Sequence, residues 1–402
     1  VSPPLSFSSD QSATTVLDQV LHHAMQAGAS DVHLESDPSL FRVRFRIDGL
    51  LRTVATPPLS IRDAMLSRLK VLSRMDIAEK RLPQDGRIDY THAGQRIDLR
   101  VSSLPTWHSE KLVLRVLKFD QTAPNLEELG LEAMELQRLT QALHASDGMI
   151  LMTGPTGSGK TRSIYSCLNR LDREALNIST LEDPIEIQLK GINQVQIHER
   201  SGLSFAHAMR ALLRQDPDVI MLGEIRDVET ADIALQAAQT GHLVLSTLHT
   251  PNAPSALFRL QQMGAALHHI ADSIRLVVAQ RLLRRLCPHC RQPLSSSPAS
   301  PLLPLAASDR INLADLQPEN SVLYTAVGCD QCEDGYRGRV GVFQVMPVSD
   351  AIQQLLFQRV APAVLAKQAQ QESVRTLRAC AWLKAWQGET TVQEVLQHTP
   401  AD

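Results

Sequence analysis

The chain has 402 residues, 43% hydrophobic and 21% charged, with a formal net charge of -3. That balance excludes a wholly disordered chain and a polycationic nucleic-acid binder, and the length suggests roughly two to four domains. No stretch approaches the roughly 18 apolar residues of a membrane span, and no signal-peptide pattern opens the chain, so a soluble, intracellular protein is expected. The first residue is Val1, which fits a non-AUG start or a missing N-terminal piece.

A Ser- and Pro-rich lead-in runs from Val1 to Ala13. The pattern VLDQVLHHAMQA predicts a helix from Val16 to Ala27, broken at Ser30-Asp31. Phe41 to Ile47 alternates apolar residues with arginine and ends at Asp48-Gly49, a hairpin signal. Ile61 to Met75 reads as a helix, and Asp85-Gly86 and Ala93-Gly94 punctuate three further strand runs up to Lys118. These elements make a small α/β domain over 1–119, with arginine along one face of its strands, followed by a polar linker over 120–128.

Leu136 to Ala145 reads as a helix. After it, short apolar runs at Met149–Met152, Ala175–Ile178, Val219–Leu222 and Leu243–Ser246 alternate with helical patterns. Such an order predicts a parallel sheet covered on both faces, assigned to a core over 129–285. A segment over 286–345 carries two cysteine pairs and a Ser/Pro/Ala-rich interruption from Pro293 to Ser308. The remainder, 346–402, reads as two or three helices between Asp350 and Gln397.

The run Gly154-Pro155-Thr156-Gly157-Ser158-Gly159-Lys160-Thr161 matches a phosphate-binding loop, with an apolar strand before it and a helical stretch (Ser163 to Leu171) after it. Gly157 and Gly159 allow backbone N–H groups to turn inward as an anion nest. Lys160 is expected to reach the β and γ phosphates of ATP, and the Thr161 hydroxyl to ligate Mg²⁺. A glycine-rich turn with a chance lysine is the bland alternative, and the strand–loop–helix context disfavours it.

Two acid-bearing strand ends stand as partners. Asp218 to Glu224 is an apolar strand closing on a carboxylate, with Gly223 where a magnesium-holding aspartate is usual. Glu182-Asp183-Pro184-Ile185-Glu186 follows another strand ending near Leu181. Solvated loop acids would look the same, but carboxylates beside a phosphate loop suit water activation. His242 and His249 bracket a fourth apolar strand, where a purely structural histidine is the commoner case.

Cys287-Pro-His-Cys290 and Cys329-Asp-Gln-Cys332 offer four thiolates, enough for a closed tetrahedral zinc site. The 38 residues from 291 to 328 exceed the usual spacing of roughly 15 to 20, and a redox dithiol is the rival reading. His289 reads as a bystander, and Cys167 and Cys380 as packing residues.

With these motifs in hand, the sequence resembles the ATPases of type II secretion and type IV pilus assembly, from Ala29 through the second cysteine pair. RVRFRIDG (Arg42 to Gly49), RLPQDGR (Arg81 to Arg87), LPTWHSEK (Leu104 to Lys111), the phosphate loop, LEDPIE (Leu181 to Glu186), GEIRD (Gly223 to Asp227) and TGHLVLSTLHT (Thr240 to Thr250) occur in the family's order. The resemblance implies an α/β fold in which a small PAS-like N-terminal domain precedes a RecA-like ATPase core with a zinc-binding insert and C-terminal helices. It implies that Glu186 is a catalytic base, that Glu224 is a modified Walker-B glutamate, and that His242 and His249 form a histidine box. It further implies a homo-hexamer with Mg-ATP between domains and neighbouring subunits. Arg81, Arg96 and Arg100 are candidates to reach that nucleotide from the N-terminal domain.

By the same resemblance the protein would lie on the cytoplasmic face of the bacterial inner membrane. There it would act on an inner-membrane platform protein and, through it, on pilin or pseudopilin subunits, with no direct nucleic-acid partner. The tetracysteine insert belongs to the secretion and pilus-extension branch of the family, which tells against a retraction motor. Arg162 departs from the family's usual small hydroxyl residue, and Ser109 from a common glycine. Larger members carry a further N-terminal docking domain that this chain is expected to lack.

Two other functional classes compete. A nucleic-acid translocase with a zinc module would use Arg281-Leu-Leu-Arg284-Arg285, against which stand the near-neutral charge and an aromatic content of 4%. A nucleotide-binding scaffold without turnover is the other.

Overall fold

A computed structural model describes residues 7, 11–118, 123–294 and 322–401 of the chain, which divides into two units, Val1–Gln121 and Thr122–Asp402. In the first unit, α1 (Ala13–Gln26) starts at Ser12, whose hydroxyl accepts the Thr15 N–H at 3.2 Å. There follow β1 (Asp31–Ser36), β2 (Phe41–Ile47), β3 (Leu50–Ala55), α2 (Arg62–Leu72), β4 (Gln84–His92), β5 (Gln95–Pro105) and β6 (Glu110–Lys118). The strands form one antiparallel sheet in the order β3-β2-β1-β6-β5-β4.

Period-two alternation decides its two faces. Val32, Leu34, Phe41, Val43 and Phe45 join Val20 of α1 and Leu69 of α2 in one core. The intervening residues carry the charge. Glu35 is the hub of the other face, with Arg44 at 2.6 Å, Lys111 at 2.8 Å and Arg42 at 3.5 Å. Burial would raise its pKa, but bonds from Arg44 and Lys111 outweigh that and hold the carboxyl at about 2.

The sequence reading is corrected in two places here. β1 begins at Asp31, where the sequence pattern predicts only a break, and α2 stops at Leu72, not Met75, because the Met75 N–H turns back to the Lys70 carbonyl at 2.8 Å.

The second unit contains α3 (Ala133–Leu143), β7 (Gly148–Thr153), α4 (Lys160–Arg170), β8 (Ile178–Glu182), β9 (Asn193–Gln196), α5 (Phe205–Leu212), β10 (Val219–Leu222), α6 (Val228–Gln239) and β11 (Leu243–Leu248). It continues through α7 (Ala253–Met263), α8 (Leu267–Ser273), β12 (Ile274–Leu286), β13 (Gln292–Pro293), β14 (Tyr324–Thr325) and β15 (Tyr336–Pro347). Four helices close it: α9 (Asp350–Phe357), α10 (Pro362–Gln371), α11 (Leu377–Trp386) and α12 (Val392–His398).

Seven strands make one sheet in the order β15-β12-β7-β11-β10-β8-β9, parallel throughout except for β15 against β12. Successive residues of β7 supply opposite cores: Met149 and Leu151 face one side, Ile150 and Met152 the other. A strand buried on both faces reads as an unbroken apolar run, which is why these runs were visible in the sequence.

Other features were not visible. β8 begins at Ile178, three residues beyond the start expected for that strand, and β9, β12 and β15 gave no signal that was read. Arginines at 281, 284 and 285 obscure the second half of β12. The four C-terminal helices replace the expected two or three, with side-chain N-caps at Ser349, Thr376 and Thr391 restarting the chain. Of the interruption from Pro293 to Ser308, residues 295–308 lie outside the described residues, as do 120–122 of the linker and most of the lead-in.

Two arginines of the basic run have acidic partners within the fold. Arg284 bonds the buried Glu394 at 2.7 Å and lies 3.9 Å over the Tyr336 ring, while Arg285 meets Glu389 at 2.7 Å. Removing Arg284 would strand a carboxylate that is 1% exposed, a loss of about 3–5 kcal/mol. Arg284 is thereby tied into the structure, and Arg285 is occupied by an ion pair nearer the surface.

Candidate functional site

Because β7, β11, β10 and β8 are adjacent and parallel, their C-terminal ends share one edge of the sheet. Thr153 opens there into the phosphate loop, Leu248 into His249, Leu222 into Gly223-Glu224, and Glu182 into the loop carrying Glu186. Thr153 and Thr250 share a hydroxyl bond at 2.6 Å, tying the loop's strand to the residue after His249.

The loop is built for an anion. Gly157 and Gly159 have φ of 79° and 88°, the left-handed region that lets successive N–H groups turn inward, and α4 starts directly after Gly159. Pro155, Thr156 and Gly157 are exposed at the tip. Lys160 is only 8% exposed, and its Nζ donates to the carbonyls of Gly154 (2.7 Å) and Pro155 (3.1 Å). Burial lowers its pKa to about 8; the nearby Arg281 adds to the shift and Glu224 opposes it. The Ser158 hydroxyl is buried without a hydrogen-bond partner. A nest of N–H groups, a cation held only by carbonyls and an orphaned hydroxyl together fit a polyphosphate. Arg162 is exposed one residue beyond Thr161 and takes no space in this nest.

Glu224 accepts from Arg226 Nε at 2.9 Å and lies 3.6 Å from His249 Nε2. Burial and the charge of Lys160 lower the His249 pKa against the pull of Glu224, which favours the neutral ring. Position 223, where an aspartate is usual, has little room for a side chain. The Gly223 N–H bonds the Leu181 carbonyl at 2.8 Å, and a Cβ there would stand 3.2 Å from that oxygen. Asp227 of the same motif is a helix cap, accepting the Thr230 N–H at 2.8 Å.

The structure separates the two histidines. His242 precedes β11 and His249 follows it, which puts about 23 Å between them at ~3.3 Å per residue. His242 Nδ1 instead meets the Ala237 carbonyl at 3.0 Å, at the end of α6. Arg81 and Arg100 belong to the first unit. There Arg81 is exposed beside Glu79 at 3.4 Å, and Arg100 lies 3.9 Å from Asp98; the side chain of Arg96 lies outside the described structure.

Sequence reasoning gave no place at this site to Arg281 or to Tyr165. Arg281 sits beside the loop, donating to the backbone carbonyls of Gln280 (2.9 Å) and Pro251 (2.6 Å), with no carboxylate partner among the described residues. Tyr165 and Glu182 form a buried pair behind it. Neither lies in a spacing that announces a role; only the parallel order of β12, β7 and β8 brings them near.

At the end of β12 the four cysteine sulfurs lie within 4.8 Å of one another. Cys287 and Cys329 are 3.9 Å apart, and Cys332 is 3.6 Å from both Cys290 and Cys329. A tetrahedron with metal–sulfur bonds of about 2.3 Å has edges of about 3.8 Å, so the cluster has the size a metal ion requires. The long gap between the pairs is bridged locally, since β13 pairs with β14 and returns the chain to the site.

Residues 7–397 match the family model described as "Type II/IV secretion system protein". The type IV pilus assembly ATPase PilB of Acinetobacter baylyi is 47% identical over 380 residues, 94% of this chain and 65% of that protein. The type II secretion system ATPase E of Vibrio cholerae is 41% identical over 96% of this chain and 75% of its own length. Among solved structures, that of the pilus retraction motor PilT with bound ADP superposes with a TM-score of 0.63 at 25% identity, covering 95% of this chain and 96% of that one. This chain thus spans about two thirds of the length of the PilB relative, and it belongs to the type II/IV secretion system protein family, with pilus-assembly and secretion ATPases as its relatives.

Proposed function

We propose that this protein hydrolyses ATP to ADP and phosphate as a Mg²⁺-dependent homo-hexameric motor for pilin or pseudopilin assembly. It would work through a platform protein at the cytoplasmic face of the bacterial inner membrane. The observation that carries the reading is the convergence of the Lys160 loop, Glu224, His249 and the Glu186 loop at one edge of the sheet. The second unit is read as a RecA-like core, the first as a PAS-like domain that supplies Arg81, Arg96 or Arg100 to a neighbour's nucleotide.

In this reading Lys160 and the N–H groups of the loop hold the β and γ phosphates, and the Thr161 hydroxyl would hold Mg²⁺, which spreads phosphate charge when bound. Glu186 orients water for in-line attack on the γ-phosphorus and takes its proton as the bond to the β-phosphate oxygen breaks. Glu224 shares in orienting that water, with His249 beside it. His242 has no place at the phosphates of its own chain.

The test is ATP hydrolysis measured across protein concentrations beside a Glu224→Gln variant. A rate that rises faster than linearly and vanishes in the variant, with nucleotide binding retained, is the expected result; an unchanged rate in Glu224→Gln overturns the reading. Arg281 offers a second check. Its uncompensated charge beside Lys160 is suited to a phosphate, and a hydrogen bond to a charged group contributes about 1.5–3 kcal/mol. Arg281→Ala is therefore expected to weaken ATP affinity about 10- to 100-fold in an equilibrium binding titration.

A further inference from the structure

The phosphate-loop helix and the Glu186 loop are joined by a buried polar network that the mechanism above leaves unused. Tyr165 is 0% exposed and sits on α4, five residues after Lys160. Its hydroxyl donates to Glu182 Oε2 and accepts the backbone N–H of Glu186 at 3.2 Å. Glu182, 2% exposed at the end of β8, takes its other bonds from Thr180 Oγ1 at 2.5 Å and Gln194 Nε2 at 3.1 Å. Gln194 then holds the far side of the same loop, donating to the Ile187 carbonyl at 3.0 Å and accepting the Leu189 N–H at 2.7 Å.

We infer that Tyr165 is a positioning residue that fixes the Glu186 backbone relative to the phosphate-loop helix, so that nucleotide bound on α4 meets a correctly placed Glu186 carboxylate. The inference rests on the reading of Glu186 as the water-orienting base. Three features make the linkage specific. The hydroxyl contacts the backbone of Glu186 itself, so a shift of α4 is passed to that residue directly. Burial and the charge of Glu182 push the phenol pKa up, which favours the protonated, donating hydroxyl. The network is closed by buried partners on both sides of the loop, and in such surroundings a lost hydroxyl cannot be replaced by bulk water.

Tyr165→Phe keeps the ring's packing and deletes both bonds. Misplacing a catalytic group by about 1 Å costs on the order of 100-fold in rate, so kcat is expected to fall about 10- to 100-fold. KM for ATP should stay within about twofold, since the phosphate contacts precede Tyr165 in the helix. A Glu186→Gln background isolates the route. If Tyr165 works through Glu186, adding Tyr165→Phe there changes kcat by less than about twofold, whereas independent effects multiply. Hydrogen exchange at the amides of Ile185 to Leu189 gives a readout free of turnover, and it should quicken in Tyr165→Phe.

Wild-type turnover that Glu186→Gln leaves intact overturns the reading of Glu186. Loss in Glu186→Gln with a wild-type rate and unchanged exchange in Tyr165→Phe overturns the positioning role alone. A multiplicative double variant, or a rise in KM with kcat unchanged, also overturns it, because either would show that Tyr165 supports binding or general stability.

Discussion

Lys160→Ala will leave the chain folded but unable to hold nucleotide, with ATP affinity at least about 100-fold weaker and turnover lost with it. The size follows from what Nζ does. It is 8% exposed, bonded to the Gly154 and Pro155 carbonyls, and in the field of only one nearby acid, Glu224. A polyphosphate entering the loop gains a charge-assisted bond from a group already stripped of water, and such desolvated pairs are worth several kcal/mol. The fold loses little, because the ammonium's burial already lowers its pKa to about 8.

The same pKa gives the pH dependence its sign. A bound phosphate favours the protonated lysine and so raises its pKa above the nucleotide-free value. Affinity is therefore full below pH 8 and falls as pH rises through about 8, by up to about tenfold per unit until the bound-state pKa is reached. Titrations of wild type and Lys160→Ala from pH 7 to about 9.5 check both claims. Persistence of the slope in the variant would assign it to another group, and wild-type affinity in the variant would remove the loop from the proposed site.

How much of this was legible in the sequence depends on the range of the physics involved. The Lys160 loop could be read because its chemistry is local: two glycines, a lysine and a hydroxyl within eight residues, between a strand pattern and a helix pattern. The β7, β10 and β11 runs were legible because strands buried on both faces must be apolar throughout. The motif order was enough to place the family.

What could not be read is set by pairing between distant segments. β12 and β15 are mixed apolar and charged, and their charges make sense only once Arg284 has met Glu394 across 110 residues. Tyr165 passes as an ordinary helix residue, and Glu182 as one more strand-end acid, until β8 is placed beside β10, close behind α4. The histidines show the converse, a grouping in the sequence that one strand spreads out in space. A sequence motif treats His242 and His249 as a pair, but a six-residue strand carries them to opposite edges of the sheet.

The cysteine cluster supports the other large prediction: the purified protein contains about one zinc per chain, and Cys287→Ser loses it. The donor set decides the metal. Four thiolates with no oxygen ligand select a soft, tetrahedral ion, and the observed sulfur separations match the tetrahedron that zinc forms. The cluster's position decides the consequence. The Cys287 N–H bonds the Gly335 carbonyl at 2.8 Å directly after β12, and Arg291 lies 4.6 Å over the Tyr324 ring while donating to the Gly388 carbonyl between α11 and α12. A metal ion there would clamp the end of a core strand to the returning segment and to the C-terminal helices.

Without metal, four sulfurs packed at this distance lose their common partner, and the surrounding turns lose their anchor. A loss of about 3 kcal/mol would lower the unfolding midpoint by roughly 6–12 °C for a unit of this size. The phosphate loop should be affected far less. Cys287 lies six residues along β12 from Arg281, about 20 Å at ~3.3 Å per residue, so ATP affinity in Cys287→Ser should stay within about twofold. Metal analysis, thermal unfolding with and without a chelator, and an ATP titration of the variant check these three points together. Purified wild type with no zinc would remove the metal from the fold, and zinc loss with an unchanged midpoint would reduce it to an ornament of the surface.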